Sequence, residues 1–393
     1  MDNESKNDNK EGLFSDLIVE RNIPFDATFD FEASSEKLFA MIQDLSKIIE
    51  NDWKLISLPK TRKSTSVTAI KHLKEAYTRG NLNFVVGAGI SSGFGIPTWE
   101  NLLQRLLMTT IETETDKAVT LSKFFSKIFN PSPLIAGRYL EESFKDENNK
   151  NKFESQVREA LYETFNDNFT SLIIEEIVKF CVAPRNSPNL DGIITYNYDD
   201  IIEAKLKDTN LDIPFESVFG QAVSQENNIL KIYHVHGFLP RKGKIGIDNK
   251  ITLGEFVYHE QYSNTYSWNN IVQINKFRDK TCLFIGTSLT DPNIRRLLDI
   301  ARSQRKSGKF HYIFKKRTDK AWLKSSINKL ISENQDSKED KIMDLLQVED
   351  TINFLTELKN RFEEKDSESL GVKTVWIDYY DQDISEILKK IRL

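Results

Sequence analysis

The sequence predicts an α/β fold: a Rossmann-like, mostly parallel sheet covered by helices on both faces. Three observations carry this. Short apolar runs of strand length stand at 83–86, 192–195, 232–235, 281–285, 309–314 and 372–377. Stretches of helical periodicity separate them, and strands alternating with helices need the crossover connections of a parallel sheet. The first run passes straight into a glycine turn, FVVGAGISSGFGIPTW from Phe84 to Trp99. Glycine after a strand lets the backbone turn sharply and approach an anion at the start of the next helix.

The chain has 393 residues, which allows one large domain with insertions or two ordinary ones. Hydrophobic residues make up 39% and charged residues 29%, a composition suited to a packed core rather than disorder. A net charge of −5 supplies no global field toward nucleic acid or an anionic membrane. Cys181 and Cys282 are too few for a four-cysteine zinc ribbon or a disulfide framework, so a reducing cytoplasm is expected. The opening MDNESKNDNKEG is polar and acidic, so no signal peptide is expected there. No window holds ~18 uninterrupted apolar residues, and no membrane span is expected.

In chain order, residues 1–12 read as a disordered tail. Residues 13–66 read as an N-terminal helical extension, with Leu38, Met41, Ile42, Leu45 and Ile48 at helical spacing in 35–50. Its other apolar residues include Phe25, Phe29, Phe31 and Trp53, a load that calls for a partner surface and makes the segment a candidate oligomerisation arm. From 67 to 393 a single nucleotide-binding domain is expected. A helix at 67–77 leads through Gly80 into the first strand, and Leu102, Leu103, Leu106 and Leu107 give the helix at 99–108 an apolar face. A helical insertion occupies about 111–183, with periodic segments at 121–128, 134–144, 153–165 and 169–182. Helices are expected at 199–207, 268–277, 293–302 and 384–391, and a second, charged helical insertion at about 318–368.

Ligands of open α/β sheets bind beyond the carboxyl ends of the strands, so the residues following each strand are the candidates. They are Gly87-Ala88-Gly89, then Thr195-Tyr196-Asn197-Tyr198-Asp199-Asp200, then His234-Val235-His236-Gly237, then Gly286-Thr287-Ser288 with Asp291 close behind. Each also has a plain structural reading. Asn197 or Asp199 could cap the following helix, a strand histidine is usually structural, and Gly286-Thr287-Ser288 could simply start a helix. We expect the two imidazoles of His234-Val235-His236 to point to opposite faces of the strand, by strand alternation, which argues against a shared metal. We prefer His236 as the one facing the pocket, because Gly237 must end the strand beside it. The basic residues Arg302, Arg305, Lys306, Lys309, Lys315, Lys316 and Arg317 could touch nucleic acid, but a solvated helix end is the favoured reading.

Taken together, GAGIS…GIP, a Thr-x-Asn-x-Asp turn, His-Gly, and GTSL followed by proline stand in the order found in sirtuins. The phrases TYNYDDIIE, HVHGFLPRKG and FIGTSLTDPNIRRLL resemble a bacterial sirtuin-like branch, the NAD-consuming antiphage effectors of Thoeris, defence-associated sirtuins and sirtuin–HerA (Nezha) systems. The resemblance covers about 68–315, with 370–393 expected to complete the sheet. It implies that Gly87, Ala88, Gly89 and Ser91 hold the diphosphate of NAD+. Gly286, Thr287 and Ser288 would hold the adenosine half, and Asn197 and His236 would act at the nicotinamide ribose. Ile90, Pro97, Trp99, Thr195, Asp199 and Asp291 complete the expected nucleotide-binding set. Two departures matter. Thr98-Trp99-Glu100 replaces the Asp-Phe-Arg of sirtuins, and the four-cysteine zinc module of the deacylases has no counterpart. Both point away from deacylation, and no metal is expected.

The implied activity is cleavage of the nicotinamide–ribose bond by water, in an effector that depletes NAD+ in antiviral abortive infection. The loop 92–97 is expected to close over the ring and exclude bulk water. An unrestrained NADase would harm its host, so a homo-oligomer or a separate partner such as a HerA-type ATPase is expected to control it. Direct nucleic-acid binding is not expected. An NAD-dependent protein deacylase and a non-catalytic NAD-binding scaffold are the alternative readings.

Overall fold

The computed structural model describes residues 64–110, 133–146, 149–182, 190–220, 229–305, 308–333 and 349–393. The proposed tail, the N-terminal extension before residue 64, and the periodic segment at 121–128 lie outside these residues. Residues 60–318 and 358–393 form one compact unit, and 319–357 fall in a second.

The first unit is built on seven strands: β1 (Leu82–Val86), β2 (Leu190–Thr195), β3 (Phe215–Val218), β4 (Leu230–His234), β5 (Thr281–Ile285), β6 (His311–Lys316) and β7 (Val372–Ile377). Their order is β3-β4-β2-β1-β5-β6-β7. Every pairing is parallel. The central strands β1, β2 and β5 are almost wholly buried because both faces are covered. Phe84, Val86, Ile193, Leu283 and Ile285 belong to one core, while Val85, Ile194, Phe284 and Ile313 belong to the other. This alternation is the two-residue period of a strand.

Twelve helices are described: α1 (Ser64–Thr78), α2 (Trp99–Thr110), α3 (Pro133–Ser143), α4 (Lys152–Tyr162), α5 (Leu172–Cys181), α6 (Ile201–Asp208), α7 (Glu255–Ser263), α8 (Trp268–Asp279), α9 (Pro292–Gln304), α10 (Lys320–Glu333), α11 (Glu349–Ser369) and α12 (Tyr380–Arg392). Most fall within a few residues of the sequence expectation. The strand expected at 232–235 begins earlier and stops at His234, and the one expected at 309–314 starts at His311.

β3 and α7 were not foreseen. β3 is an edge strand whose FESV has only Val218 buried, so it lacks a strand's apolar signature. α7 is held by polar chemistry instead of an apolar stripe. Gln261 donates to Thr252 Oγ1 at 2.8 Å, Asn270 of α8 donates to the Gln261 carbonyl at 2.8 Å, and Asn293 of α9 donates to Gln261 Oε1 at 3.0 Å. Buried amides of this kind carry no periodicity to read.

The last helix locks the sheet's far side. Asp381 accepts from the N–H groups of Leu172 and Ile173 at the start of α5, where a carboxylate opposes the positive end of the helix dipole. Arg392 donates to the buried Glu176 carboxylate of the same helix at 3.1 Å. Among the described residues no helix is long and apolar enough to cross a membrane.

Candidate active site

β4, β2, β1 and β5 are adjacent in the sheet, so the four polar clusters meet along one edge. The chain runs from β1 to one side and returns to the other at β5. The gap beyond β1 and β5 is therefore the topological switch point where such sheets take ligands.

The two glycine turns at that point pack on each other. The Gly87 N–H donates to the Ile285 carbonyl at 3.1 Å, and the Gly89 N–H to the Gly286 carbonyl at 2.9 Å. A Cβ on Gly87 would lie 2.7 Å from the Gly286 oxygen, and one on Gly89 would lie 2.6 Å from the Tyr380 hydroxyl and 2.8 Å from the Gly286 Cα. These glycines are thus required first by loop-to-loop contact. Gly286 also has φ +71°, a conformation side chains disfavour. Gly89→Val is expected to lower stability as well as any nucleotide affinity. Thermal unfolding checks this, and an unchanged Tm would show that the two turns separate at little cost.

Ala88–Ile90 and Ser92–Phe94 are short 3₁₀ turns that leave Ala88 exposed and bury Ile90 and Ser91. The 92–97 segment, expected to be a closing loop, is pinned. Phe94 is buried against Phe165 and Phe169, Asn166 N–H donates to the Phe94 carbonyl at 2.8 Å, and Thr164 Oγ1 donates to the Gly95 carbonyl at 2.9 Å. Pro97 is half-buried, and Trp99 stacks on Tyr258 with ring centroids 6.0 Å apart.

Asn197 is drawn to the first turn. Its Nδ2 donates to the Gly87 carbonyl at 3.1 Å and to Ser91 Oγ at 3.0 Å, while its own N–H donates to Thr195 Oγ1 at 3.1 Å. Asp199 is buried, and its Oδ1 accepts from the Ile201 N–H at 3.2 Å at the start of α6. Burial pushes its carboxyl up to about 6, against the pull of the Ser91 hydroxyl and the Ile201 N–H.

A raised folded pKa binds its proton more tightly than the unfolded chain does. The stability from protonated Asp199 is therefore present below its ordinary 3.8 and lost as pH rises to about 6. Asp199→Asn is expected to raise stability above pH 6 by at most ~3 kcal/mol and to flatten the pH dependence below it. Denaturant titrations at pH 4 and pH 8 read both effects. A variant less stable than the parent at pH 8 would contradict this account.

The two histidines do point apart, but the reason is not strand alternation, since residues two apart in a continuous strand share a face. β4 ends at His234, and His236 lies in the turn beyond it. His236 is buried, with its ring against Tyr196 at 4.8 Å and Tyr258 at 6.1 Å. Burial pushes its imidazole below the ordinary value, against the pull of Asp291. It is therefore held neutral near pH 7.

His234 is no bystander. Its Nε2 lies 2.6 Å from Glu203 Oε1, and its Nδ1 3.3 Å from the Asn197 carbonyl. Burial would raise the Glu203 carboxyl, but His234, with the Ser217 hydroxyl, outweighs it and holds it below its ordinary value.

On the β5 side, Thr287 is half-buried and Ser288 exposed, its hydroxyl 2.7 Å from that of Thr290. Asp291 caps α9: its Oδ1 accepts from the Asn293 and Ile294 N–H groups at 2.8 and 2.9 Å, and its Oδ2 accepts from the Tyr258 hydroxyl at 2.5 Å. The helix here begins at Pro292, so Gly286-Thr287-Ser288 forms a loop before it rather than its first turn. Glu203, Tyr258 and Tyr380 escaped the sequence reading, and Tyr196 entered it only as part of the turn after β2. Only Glu203 left a signal, as a charged residue on the otherwise buried face of α6.

Among the described residues, nine buried side-chain polar atoms lack a hydrogen-bond partner, and four of them belong to this end of the sheet: Trp99 Nε1, Asp199 Oδ2, His236 Nε2 and Tyr380 Oη. Such atoms are uncommon in proteins. Their gathering around two close-packed glycine turns suits a polar ligand with several hydroxyl and phosphoryl oxygens. No group of three His, Cys, Asp or Glu side chains is arranged to hold a metal among the described residues.

Residues 191–338 match the family described as a SIR2-like domain. That span includes Asn197, His236 and the Gly286 turn, and starts beyond the Gly87 turn. The "NAD(+) hydrolase ThsA" of Enterococcus faecium is 25% identical over 329 residues, covering 82% of this chain and 57% of its own. The protein of the same name from Cytobacillus dafuensis is 24% identical over 334 residues, covering 82% and 55%. The chain thus spans little more than half the length of these curated relatives. A solved chain reported under "Structural Basis for the Mechanism and Regulation of Sir2 Enzymes" aligns with 82% of this chain and 96% of its own, at 12% identity and a TM-score of 0.36. The candidate site therefore stands on a parallel α/β sheet in a chain whose residues 191–338 match the SIR2-like domain family and which is similar, over 82% of its length, to proteins named NAD(+) hydrolase.

Proposed function

We propose that this protein is an NAD+ glycohydrolase, converting NAD+ and water to nicotinamide, ADP-ribose and a proton. The observation that carries the proposal is a buried Asn197 hydrogen-bonded to the first glycine turn, with a neutral, buried His236 following the neighbouring strand β4 at the same end of the sheet. Similarity to proteins named NAD(+) hydrolase supports it.

In this reading Gly87, Ala88, Gly89, Ile90 and Ser91 receive the diphosphate, and Gly286, Thr287 and Ser288 the adenosine half. Trp99, Thr195 and Asp199 line the ribose side with Pro97, and Asp291 fixes the site through Tyr258. The nicotinamide–ribose bond breaks with its electron pair leaving on the ring nitrogen, so nicotinamide departs neutral and the ribose carbon becomes electron-poor. Asn197 orients the ribose hydroxyls or the attacking water. His236 Nε2, buried with no protein partner, accepts the proton that water releases. Incubation with NAD+ in the presence and absence of an acetylated peptide tests this. NAD+ loss is expected to be independent of the peptide, and acetyl transfer to ADP-ribose would favour a deacylase instead.

The same reading places the protein in the cytoplasm as a regulated effector of antiviral abortive infection. It would work as a homo-oligomer through the segment before residue 67, or with a separate partner such as a HerA-type ATPase. The apolar residues of 13–66 support this arm. Removing residues 1–60 is expected to lower the mass measured by light scattering or cause aggregation. A truncated protein of unchanged association state would count against it.

A further inference from the structure

At the opposite edge of the sheet, the amino ends of β6 and β7, lies a cavity of ≈ 320 Å³. The end of α9 supplies Leu298, Arg302 and Arg305. The approach to β6 supplies Lys309 and Phe310, and the entry to β7 supplies Leu370. Its volume is at the lower end of ordinary small-molecule sites.

The charge in this cavity is unbalanced. Among the described residues no ion pair joins Arg302, Arg305 or Lys309 to a carboxylate. The one acid at the rim, Glu368, is paired to Lys365 at 3.2 Å. Asp279, whose carboxyl feels Lys309, is held by Arg278 at 2.7 Å. Arg305 is the most telling group. Its hydrogen-bond partners are both uncharged: Nη1 lies 2.5 Å from His311 Nε2, and Nη2 reaches the Lys280 carbonyl at 3.4 Å. Its Nε is buried without a partner. Burial, and then the Arg305 charge, push His311 well below its ordinary range, so the ring is kept neutral beside the guanidinium. A guanidinium kept in a partly buried, acid-free setting is costly unless an anion joins it.

We propose that this cavity binds a small phosphorylated molecule of mononucleotide size. Arg302, Arg305 and Lys309 hold its phosphate, and Leu298, Phe310 and Leu370 receive its apolar part. Three cations with two guanidinium forks suit a dianionic phosphate better than a single carboxylate. The concave shape and the net charge of −5 disfavour a nucleic-acid duplex, which needs an extended basic surface. The site is separate from the carboxyl-end site, and the inference does not depend on NAD+ cleavage there.

Calorimetry of the full chain with AMP, inorganic phosphate and adenosine tests the proposal. AMP is expected to bind, phosphate to bind more weakly, and adenosine weakest. Arg302 and Lys309 are exposed and unpaired among the described residues, so Arg302→Glu and Lys309→Glu should fold normally. Each is expected to weaken AMP by about tenfold or more, whereas Asn197→Ala binds AMP at this site as the parent does. No AMP binding to the parent would overturn the proposal. So would affinity unchanged in Arg302→Glu and Lys309→Glu, or binding abolished by Asn197→Ala alone. Arg302-dependent binding of duplex DNA or RNA without AMP binding would overturn it in favour of a nucleic-acid surface.

Discussion

Asn197→Ala and His236→Ala are each expected to lower the rate of NAD+ cleavage by about two to four orders of magnitude, with the chain still folded. The two residues act at different points. Asn197 spans the Gly87 carbonyl and Ser91 Oγ, so its loss frees the first glycine turn and leaves a ligand unaligned. His236 has a buried, unpartnered Nε2, so its removal takes away a proton acceptor without breaking a protein hydrogen bond at that atom. Its neutral state also predicts the pH profile. Burial lowers the pKa, so the base form persists below the usual histidine range, and the acid limb of the rate should lie below 6.5. Steady-state rates from pH 5 to 8, with circular dichroism for the fold, check both parts. Cleavage that survives in either folded variant would remove that residue from the mechanism.

The second large effect is expected at His234. On sequence grounds His234→Ala should retain much more activity than His236→Ala, because its ring turns away from the pocket. The structure gives it a different task. It stands between the Glu203 carboxylate and the backbone of Asn197, with only 1% of its side chain exposed. His234→Ala strands a buried carboxylate and is expected to cost about 3–5 kcal/mol, with activity falling as the Asn197 turn loosens. Glu203→Gln leaves no charge to strand and should cost less. The double variant should cost less than the sum of the singles, because the two side chains form one unit.

The sign of the pH dependence follows from Glu203. Its folded pKa is depressed, so its stabilising contribution is present above its ordinary 4.5 and lost as pH falls through the lower folded value. Denaturant unfolding of the four proteins gives the cycle. Additive single-variant costs would show that the pair is not coupled.

Much of this site was legible because strands announce their own ends. The apolar runs through Val86, Ile194 and Ile285 locate three carboxyl ends, and the polar residues after them are the ones the sheet brings together. What stayed hidden depends on contacts between distant segments. Asp291 reads as a pocket residue until Tyr258 and the α9 N–H groups are seen to occupy both its oxygens. The 92–97 segment reads as a free loop because glycine and proline mark turns. The contacts that hold it come from Phe165, Asn166 and Phe169, some seventy residues on. The His234–Glu203 pair spans 31 positions and two element types, and no local pattern links them. α7 rests on buried amides, which leave no hydrophobic period.

The account's central claim is that water cleaves NAD+ at the Asn197–His236 site. Its most direct test is product analysis by mass spectrometry after the full chain has acted on NAD+ in ¹⁸O-enriched water. The account predicts equal amounts of nicotinamide and ADP-ribose, one solvent oxygen in each ADP-ribose, and at least about a hundredfold less of both products from the His236→Ala protein in the same time. NAD+ recovered intact from a protein that binds it, or ADP-ribose formed equally by His236→Ala, would contradict it.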